Sequence, residues 1–291
     1  NGMGVNNFVI IIRPKMTHHI ISTDMVDDTT HNKKTKYKKQ VSVVITAYDQ
    51  DRYSDINDAV NSVLDGTYPH RDIIIVVDGN KSLASLLENE WKRDEVSILL
   101  NTENLGAAES RNRAVEQATG EIVAFMDDDA VADDQWLAEI VRCYEEYPVV
   151  SVGGKMTPIW IEDEPTFLPE EFYWLIGVTY RGFPDEVTEV RNTFASNITF
   201  DREVFDRLGG FNPNVGPKGD SLLQSAETEF CVQLRDKTGK GVLYNPGAQV
   251  GHKIFQFRTN PIFLLRRAFW QGVSKYGIRK YVEASLDTES E

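Results

Sequence analysis

The chain has 291 residues, 41% of them hydrophobic and 26% charged, with a formal net charge of −14. This composition excludes a collagen, a disordered chain and a disulfide scaffold, and it supplies enough apolar surface for a sizeable core. No apolar run approaches the roughly 20 residues that cross a bilayer; the longest, Phe8–Ile12 and Ile73–Val77, have five residues each.

Residues 1–40 stand apart. They hold one short apolar stretch, the pair His18-His19 and the basic run Lys33, Lys34, Lys36, Lys38 and Lys39. No helical or strand period persists, so a mobile leader is expected. No secretory signal with a long apolar segment opens the sequence, which fits a cytosolic compartment. The two cysteines, Cys143 and Cys231, are expected to be reduced core thiols.

From Val41 the pattern sharpens. Val41–Thr46, Asp72–Val77, Val96–Leu100, Ile122–Met126 and Val149–Val152 read as short buried strands. Between them Asp55–Leu64, Leu83–Trp91, Ala107–Ala118 and Gln135–Tyr147 have helical spacing. Alternation of this kind predicts an α/β fold, a mostly parallel central sheet flanked by helices. In such a sheet ligands sit beyond the carboxyl ends of the strands. Thr46, Asp78 and Asp127–Asp129 all fall there.

Three motifs carry chemistry. Asp127-Asp128-Asp129 places three carboxylates directly after a buried strand, where mutual repulsion favours a cation among them. A divalent ion with oxygen ligands, bridging to a diphosphate, is the natural partner; an acidic helix-capping loop is the plain alternative. Asn104-Leu105-Gly106 permits a tight turn into a helix that carries Arg111-Asn112, and Arg111 can reach a phosphate or nucleotide. In Val76-Val77-Asp78-Gly79-Asn80, Asp78 can accept from a base N–H while Gly79 lets the chain approach closely. Further on, His252 follows the strand-like stretch Ala248–Gly251 and can complete a metal or diphosphate site.

In this order, these segments resemble family 2 glycosyltransferases with the GT-A fold, over residues 41–255. The resemblance implies that Thr46, Ala47, Tyr48 and Asp78 hold a nucleobase, uracil, and that Arg111 lies at the nucleotide. Asp127 and Asp129 would be the D-x-D metal acids, with His252 as a further ligand, and Asp128 would face the donor ribose or sugar. The family's acidic run before the catalytic helix falls on Ser225-Ala226-Glu227-Thr228-Glu229, after Gly209-Gly210-Phe211-Asn212. It gives the general base as Glu227, with Glu229 competing; Ala226 replaces the first acid of the family pattern, and the base is Glu instead of Asp.

A narrower resemblance rests on Gly153-Gly154-Lys155-Met156 and on Phe167-Leu168-Pro169-Glu170-Glu171-Phe172-Tyr173-Trp174-Leu175, followed by Gly177 and Arg181-Gly182-Phe183. These segments are similar to archaeal glucosyl-dolichyl phosphate glucuronosyltransferases of the N-glycosylation pathway. That likeness implies an inverting transfer with Mn or Mg, a UDP-glucuronate donor and a lipid-linked glucosyl acceptor. Lys155 and Arg181 are the candidates to meet the donor carboxylate. Phe167, Phe172, Tyr173 and Trp174 are expected either to stack on a sugar or lipid or to pack as core. Another UDP-sugar for a surface polysaccharide, or nucleotidyl transfer, are the alternatives.

Charge is sorted along the chain. Residues 252–281 carry seven basic side chains and no acid, residues 1–40 are net +4, the last ten carry four acids, and the body is left with −21. That body repels nucleic acid. On a helical wheel Ile262, Leu265, Phe269, Val273 and Tyr276 share one face, with Arg267, Lys275 and Arg279 opposite. A basic amphipathic helix of this kind suits peripheral contact with an anionic membrane, at its cytoplasmic face. Arg266 or Arg267 is an alternative ligand of the donor diphosphate. The expected organisation is a leader (1–40), a GT-A domain (41–255) and a basic amphipathic segment with an acidic tail (256–291).

Overall fold

The structure, a computed structural model, describes residues 39–215 and 226–287, with side chains through residue 277 of the second stretch. The expected leader, with His18 and His19, lies outside the described residues apart from Lys39 and Gln40.

Consecutive β-branched and apolar residues build β1 (Val41–Ala47), β2 (Arg71–Asp78), β3 (Val96–Asn101) and β4 (Ile122–Asp127). They run parallel, in the order β3-β2-β1-β4. Parallel neighbours require crossovers, here α1 (Tyr53–Asp65), α2 (Lys81–Glu90) and α3 (Ala107–Gln117). In α1, Ile56, Ala59, Val60 and Val63 form the buried stripe that packs on the sheet.

The remaining elements are β5 (Ala130–Ala132), α4 (Trp136–Glu146), β6 (Ser151–Trp160), β7 (Thr188–Val190), β8 (Ile198–Asp201), α5 (Glu203–Leu208), α6 (Ala226–Thr238), β9 (Val242–Ile254), α7 (Gln256–Thr259) and α8 (Pro261–Asp287). They extend the sheet as β4-β8-β6-β9-β5, with β7 also on β9. This half is mixed: β6 and β9 are parallel, while the pairs β4–β8, β6–β8, β5–β9 and β7–β9 are antiparallel.

Strand alternation sends Val43 and Ile45 to one apolar cluster and Val44 to another. The first lies with Trp136, Ile140 and Val250. The second is aromatic: Phe211 stands 5.2 Å from Phe125 and 4.7 Å from Phe230, centroid to centroid. Cys143 and Cys231 are buried free thiols, as expected.

Two strands are longer than their sequences suggest. β6 begins at Ser151 and runs to Trp160, and Ala248–Gly251 is only the middle of the 13-residue β9. Asn245-Pro246-Gly247 lies in a bulge, where the register jumps from Gly154↔Asn245 to Lys155↔Gln249. Gly154 makes room for it: a Cβ there would stand 1.9 Å from the Ala248 carbonyl oxygen.

Helix α8 continues through Gly272 and Gly277. No helix among the described residues is long and apolar enough to cross a membrane.

Candidate functional site

The parallel strands deliver their polar ends to one rim. Thr46 of β1 pairs in register with Asp127 of β4 on one side and Val76 of β2 on the other. Ala47 is buried, whereas Tyr48 is 64% exposed, an aromatic face open at the rim. Asp78 is buried and held by the glycine loop: Oδ1 accepts from Leu105 N and Asn101 Nδ2, and Oδ2 from Gly106 N, each at 2.9 Å. Gly79 (φ +74°) lets the two loops touch, since a Cβ there would stand 2.8 Å from Asn104 N. Asp78 therefore shapes the rim first; Oδ2 keeps acceptor capacity for a ligand.

The acidic turn divides three like residues into three environments. Asp127, the most open, accepts from Arg111 Nη2 at 3.0 Å. Asp129 is buried and ringed by nitrogen donors: His252 Nε2 at 3.2 Å, Arg52 Nη1 at 3.2 Å and Arg258 Nη2 at 2.9 Å. Burial alone raises the Asp129 pKa, but the His252 hydrogen bond and the three charges hold it well below the usual carboxylate range. Asp128 has the opposite fate. Burial first, then the charges of Asp129 and Asp127, push it up to about 8.

The β5–β9 ladder positions His252, pairing it with Ala130, while Lys253 N donates to the Asp129 carbonyl at 2.9 Å. His252 Nδ1 is buried, has no hydrogen-bond partner among the described residues and faces Gly177, where a Cβ would stand 3.0 Å away. This explains the Gly177 of the narrower motif.

Among the described residues, no group of three or more His, Cys, Asp or Glu side chains is already gathered around a cation position. The donor set nonetheless fits a divalent ion: Asp127 and Asp129 supply oxygens, and His252, whose Nε2 lies 3.2 Å from Asp129, supplies a nitrogen. Binding through Asp129 requires Arg52 and Arg258 to give up their present contacts with it.

On the acceptor side, Glu227 and Glu229 both lie in the first turn of α6 and separate cleanly. Glu227 is half-buried, and its charge, like that of Asp127, acts on Arg267 of α8. Glu229 is buried, accepts from its own helix neighbour Gln233, and its second oxygen has no partner among the described residues. Burial raises its pKa, against the Gln233 hydrogen bond. Glu227 thus keeps part of its side chain open to solvent, whereas Glu229 is buried.

Of the two candidates for a donor carboxylate, Arg181 is committed at the surface to Glu170 at 2.8 Å and Glu171 at 3.3 Å. Lys155 is half-buried on β6. The aromatic motif divides: Tyr173 is core and Trp174 packs against it, while Phe167 and Phe172 are exposed.

Sequence reasoning missed Arg52 and Arg258, ordinary surface arginines by pattern, which meet Asp129 only because the fold brings residues 52, 129 and 258 together. It also missed the function of Asn112. Its Nδ2 donates to the Phe211 carbonyl and its Oδ1 accepts from Phe211 N, both at 2.8 Å. This clamp joins α3, which carries Arg111, to the Gly209-Gly210-Phe211 segment that packs on α6.

Comparison with known proteins agrees with this architecture. The family model described as "Glycosyl transferase family 2" matches residues 42–209. A glucosyl-dolichyl phosphate glucuronosyltransferase of Haloferax volcanii is 43% identical over 238 residues, 81% of this chain and 76% of that protein. The putative teichuronic acid biosynthesis glycosyltransferase TuaG of Bacillus subtilis is 40% identical over 104 residues, 35% of this chain and 39% of its own. A Pyrobaculum calidifontis mannosyltransferase solved with GDP-Man and Mn2+ has a TM-score of 0.54 at 20% identity, covering 76% of this chain and 59% of that one. GalNAc-T7 with UDP, GalNAc and Mn2+ has a TM-score of 0.59 at 18% identity, covering 75% of this chain and 44% of that one. At such identities these structures show the fold alone, and this chain spans less than two thirds of either. Strand order, acidic turn and family match together place the chain in glycosyl transferase family 2, as a glycosyltransferase with the GT-A fold.

Proposed function

We propose that this enzyme transfers glucuronate from UDP-glucuronate to a lipid-linked acceptor, a glucosyl-dolichyl phosphate, with inversion, in protein N-glycosylation. The observation that carries this reading is the acidic turn at the strand-end rim with Arg111 on Asp127, in a chain 43% identical over 81% of its length to a protein named for that reaction.

The nucleobase lies along the β1 end, with Thr46 and Ala47 beneath it, Tyr48 against its face and Asp78 accepting from its N–H. Arg111 holds the nucleotide end and orients Asp127. Asp128 faces the donor ribose or sugar. Asp127, Asp129 and His252 would hold Mn or Mg, which when bound supplies positive charge to the leaving diphosphate. Glu227 takes the proton from the acceptor hydroxyl as that oxygen attacks the anomeric carbon from the face opposite UDP. Glu229, enclosed and accepting from Gln233 within α6, takes no part in the transfer. Lys155 is left to meet the donor carboxylate, since Arg181 is already paired.

The acceptor is lipid-linked, and α8 carries a surface suited to lipid. Ile262 is 76% exposed, Leu265 73%, Phe269 65% and Tyr276 67%, an outward apolar stripe with exposed Arg266 at its border. We place this stripe on the anionic cytoplasmic face of the membrane, as a peripheral contact of the 256–291 segment beside the 41–255 catalytic domain. Leu265→Glu with Phe269→Glu is expected to abolish co-sedimentation with anionic vesicles while preserving UDP binding; unchanged sedimentation removes the assignment.

The local likeness to TuaG supports a second reading, another UDP-sugar for a surface polysaccharide. Incubating the enzyme with a panel of UDP-sugars, Mn2+ or Mg2+ and glucosyl-dolichyl phosphate, scored by product mass, separates the two. Addition of a hexuronic acid is expected; addition of a different sugar selects the second reading.

A further inference from the structure

One turn of α3 directs four consecutive side chains onto other elements. Arg111 reaches Asp127, and Asn112 holds Phe211. The other two, Ser110 and Arg113, converge on Asn101, the last residue of β3. Asn101 is fully buried beside Asp78, its register partner at the end of β2.

The neighbours of Asn101 decide which way its amide points. Arg113 carries only donors, and the Asp78 carboxylate only acceptors. Oδ1 of Asn101 must therefore face Arg113, whose Nη1 donates to it, and Nδ2 must face Asp78. Nδ2 gives one hydrogen to Asp78 Oδ1 and the other to Ser110 Oγ, each at 2.9 Å. The backbone adds a tie, since Gly79 N donates to the Asn101 carbonyl at 3.0 Å. A carboxylate offers about four acceptor positions, two on each oxygen. Among the described residues, Asp78 Oδ1 accepts from both Leu105 N and Asn101, whereas Oδ2 accepts from Gly106 N alone. Asn101 thus fills Oδ1 and leaves the open position on Oδ2.

We infer that Asn101, locked by Arg113, is a positioning residue for base recognition: it turns Asp78 so that Oδ2 meets a nucleobase N–H. The inference deepens the donor-binding reading and rests on its assignment of the base to Asp78. The selection it gives is chemical. Uracil presents N3–H, a donor, where cytosine presents a bare N3, an acceptor. Aspartate at position 101 has the size of asparagine and still accepts from Arg113. Its other oxygen then opposes Asp78 Oδ1, and the two carboxylates repel each other. Arg113→Met removes the lock from a half-buried site without adding a charge.

The test is calorimetric titration of the full chain with UDP and with CDP in one Mn2+ buffer, together with melting curves. Wild-type protein is expected to prefer UDP. Asn101→Asp is expected to cut the ratio of UDP to CDP affinity by about tenfold, the worth of one hydrogen bond to a charged group. Arg113→Met is expected to cut the ratio by a smaller factor, with a melting temperature close to wild type. A ratio kept in Asn101→Asp, with both nucleotides unchanged or weakened in parallel, makes Asn101 merely structural and overturns the inference while the base reading stands. A ratio kept in Arg113→Met removes the lock. Should Asn101→Asp fail to fold, Arg113→Met decides alone, and a kept ratio there overturns the inference. Wild-type protein that binds UDP and CDP equally overturns the assignment of the base to Asp78 and the inference with it.

Discussion

Asn112 tests how the donor half of the site is tied to the acceptor half. Its side-chain amide makes two 2.8 Å hydrogen bonds with the backbone of Phe211, whose ring is buried against Phe125 and Phe230. Asn112→Ala leaves the Phe211 N–H and carbonyl without partners. Each unsatisfied buried group costs about 1–3 kcal/mol, so a loss of about 2–4 kcal/mol is expected, read from urea unfolding at an unchanged m value. Gly210 supplies the internal control. Its φ is +87°, and a Cβ there would stand 2.7 Å from Asn112 Oδ1. Gly210→Ala therefore carries a conformational penalty plus a clash, and only the clash disappears when Asn112 is also truncated. The double variant is expected to be more stable than the sum of the singles by at least about 0.5 kcal/mol. Additivity within about 0.3 kcal/mol would refute the clamp.

Three further outcomes are expected. Glu227→Gln should lose transfer while binding UDP normally, and Glu229→Gln should keep transfer; product mass and UDP titration check both. Burial raises Glu229 above its ordinary 4.5, so its contribution to stability is full below that value and is lost as pH rises through the raised one. Glu229→Gln should therefore melt close to wild type near about pH 4 and above it near about pH 8. Finally, a Cβ at Gly272 meets nothing within 4 Å. Gly272→Ala is expected to stabilise α8 by about 0.5–1 kcal/mol in chemical denaturation, and destabilisation would show that the helix needs its glycine.

The parallel half of the fold was legible because each buried strand is a short apolar run and each crossover shows a 3.6-residue stripe. The mixed half was not. β9 crosses Asn245-Pro246-Gly247, whose composition says turn although the strand passes through it as a bulge. β5, β7 and β8 have three, three and four residues, too short for periodicity to register. The rim residues were found because strand ends are predictable in sequence. Arg52 and Arg258 were not, since their meaning depends on contacts across 77 and 129 residues. The stripe of α8 was readable from its wheel, but the inward placing of Arg267 was not, because nothing in the helix sequence says which side the body takes.

The enzyme is held to retain UDP through a cation at the acidic turn, and titration of UDP with and without Mn2+ reaches that point most directly. Wild-type protein is expected to bind UDP at least about tenfold more tightly with Mn2+, and Asp127→Asn with Asp129→Asn is expected to erase the difference. Equal UDP affinity with Mn2+ and with EDTA would contradict a metal-assisted departure of UDP from this rim.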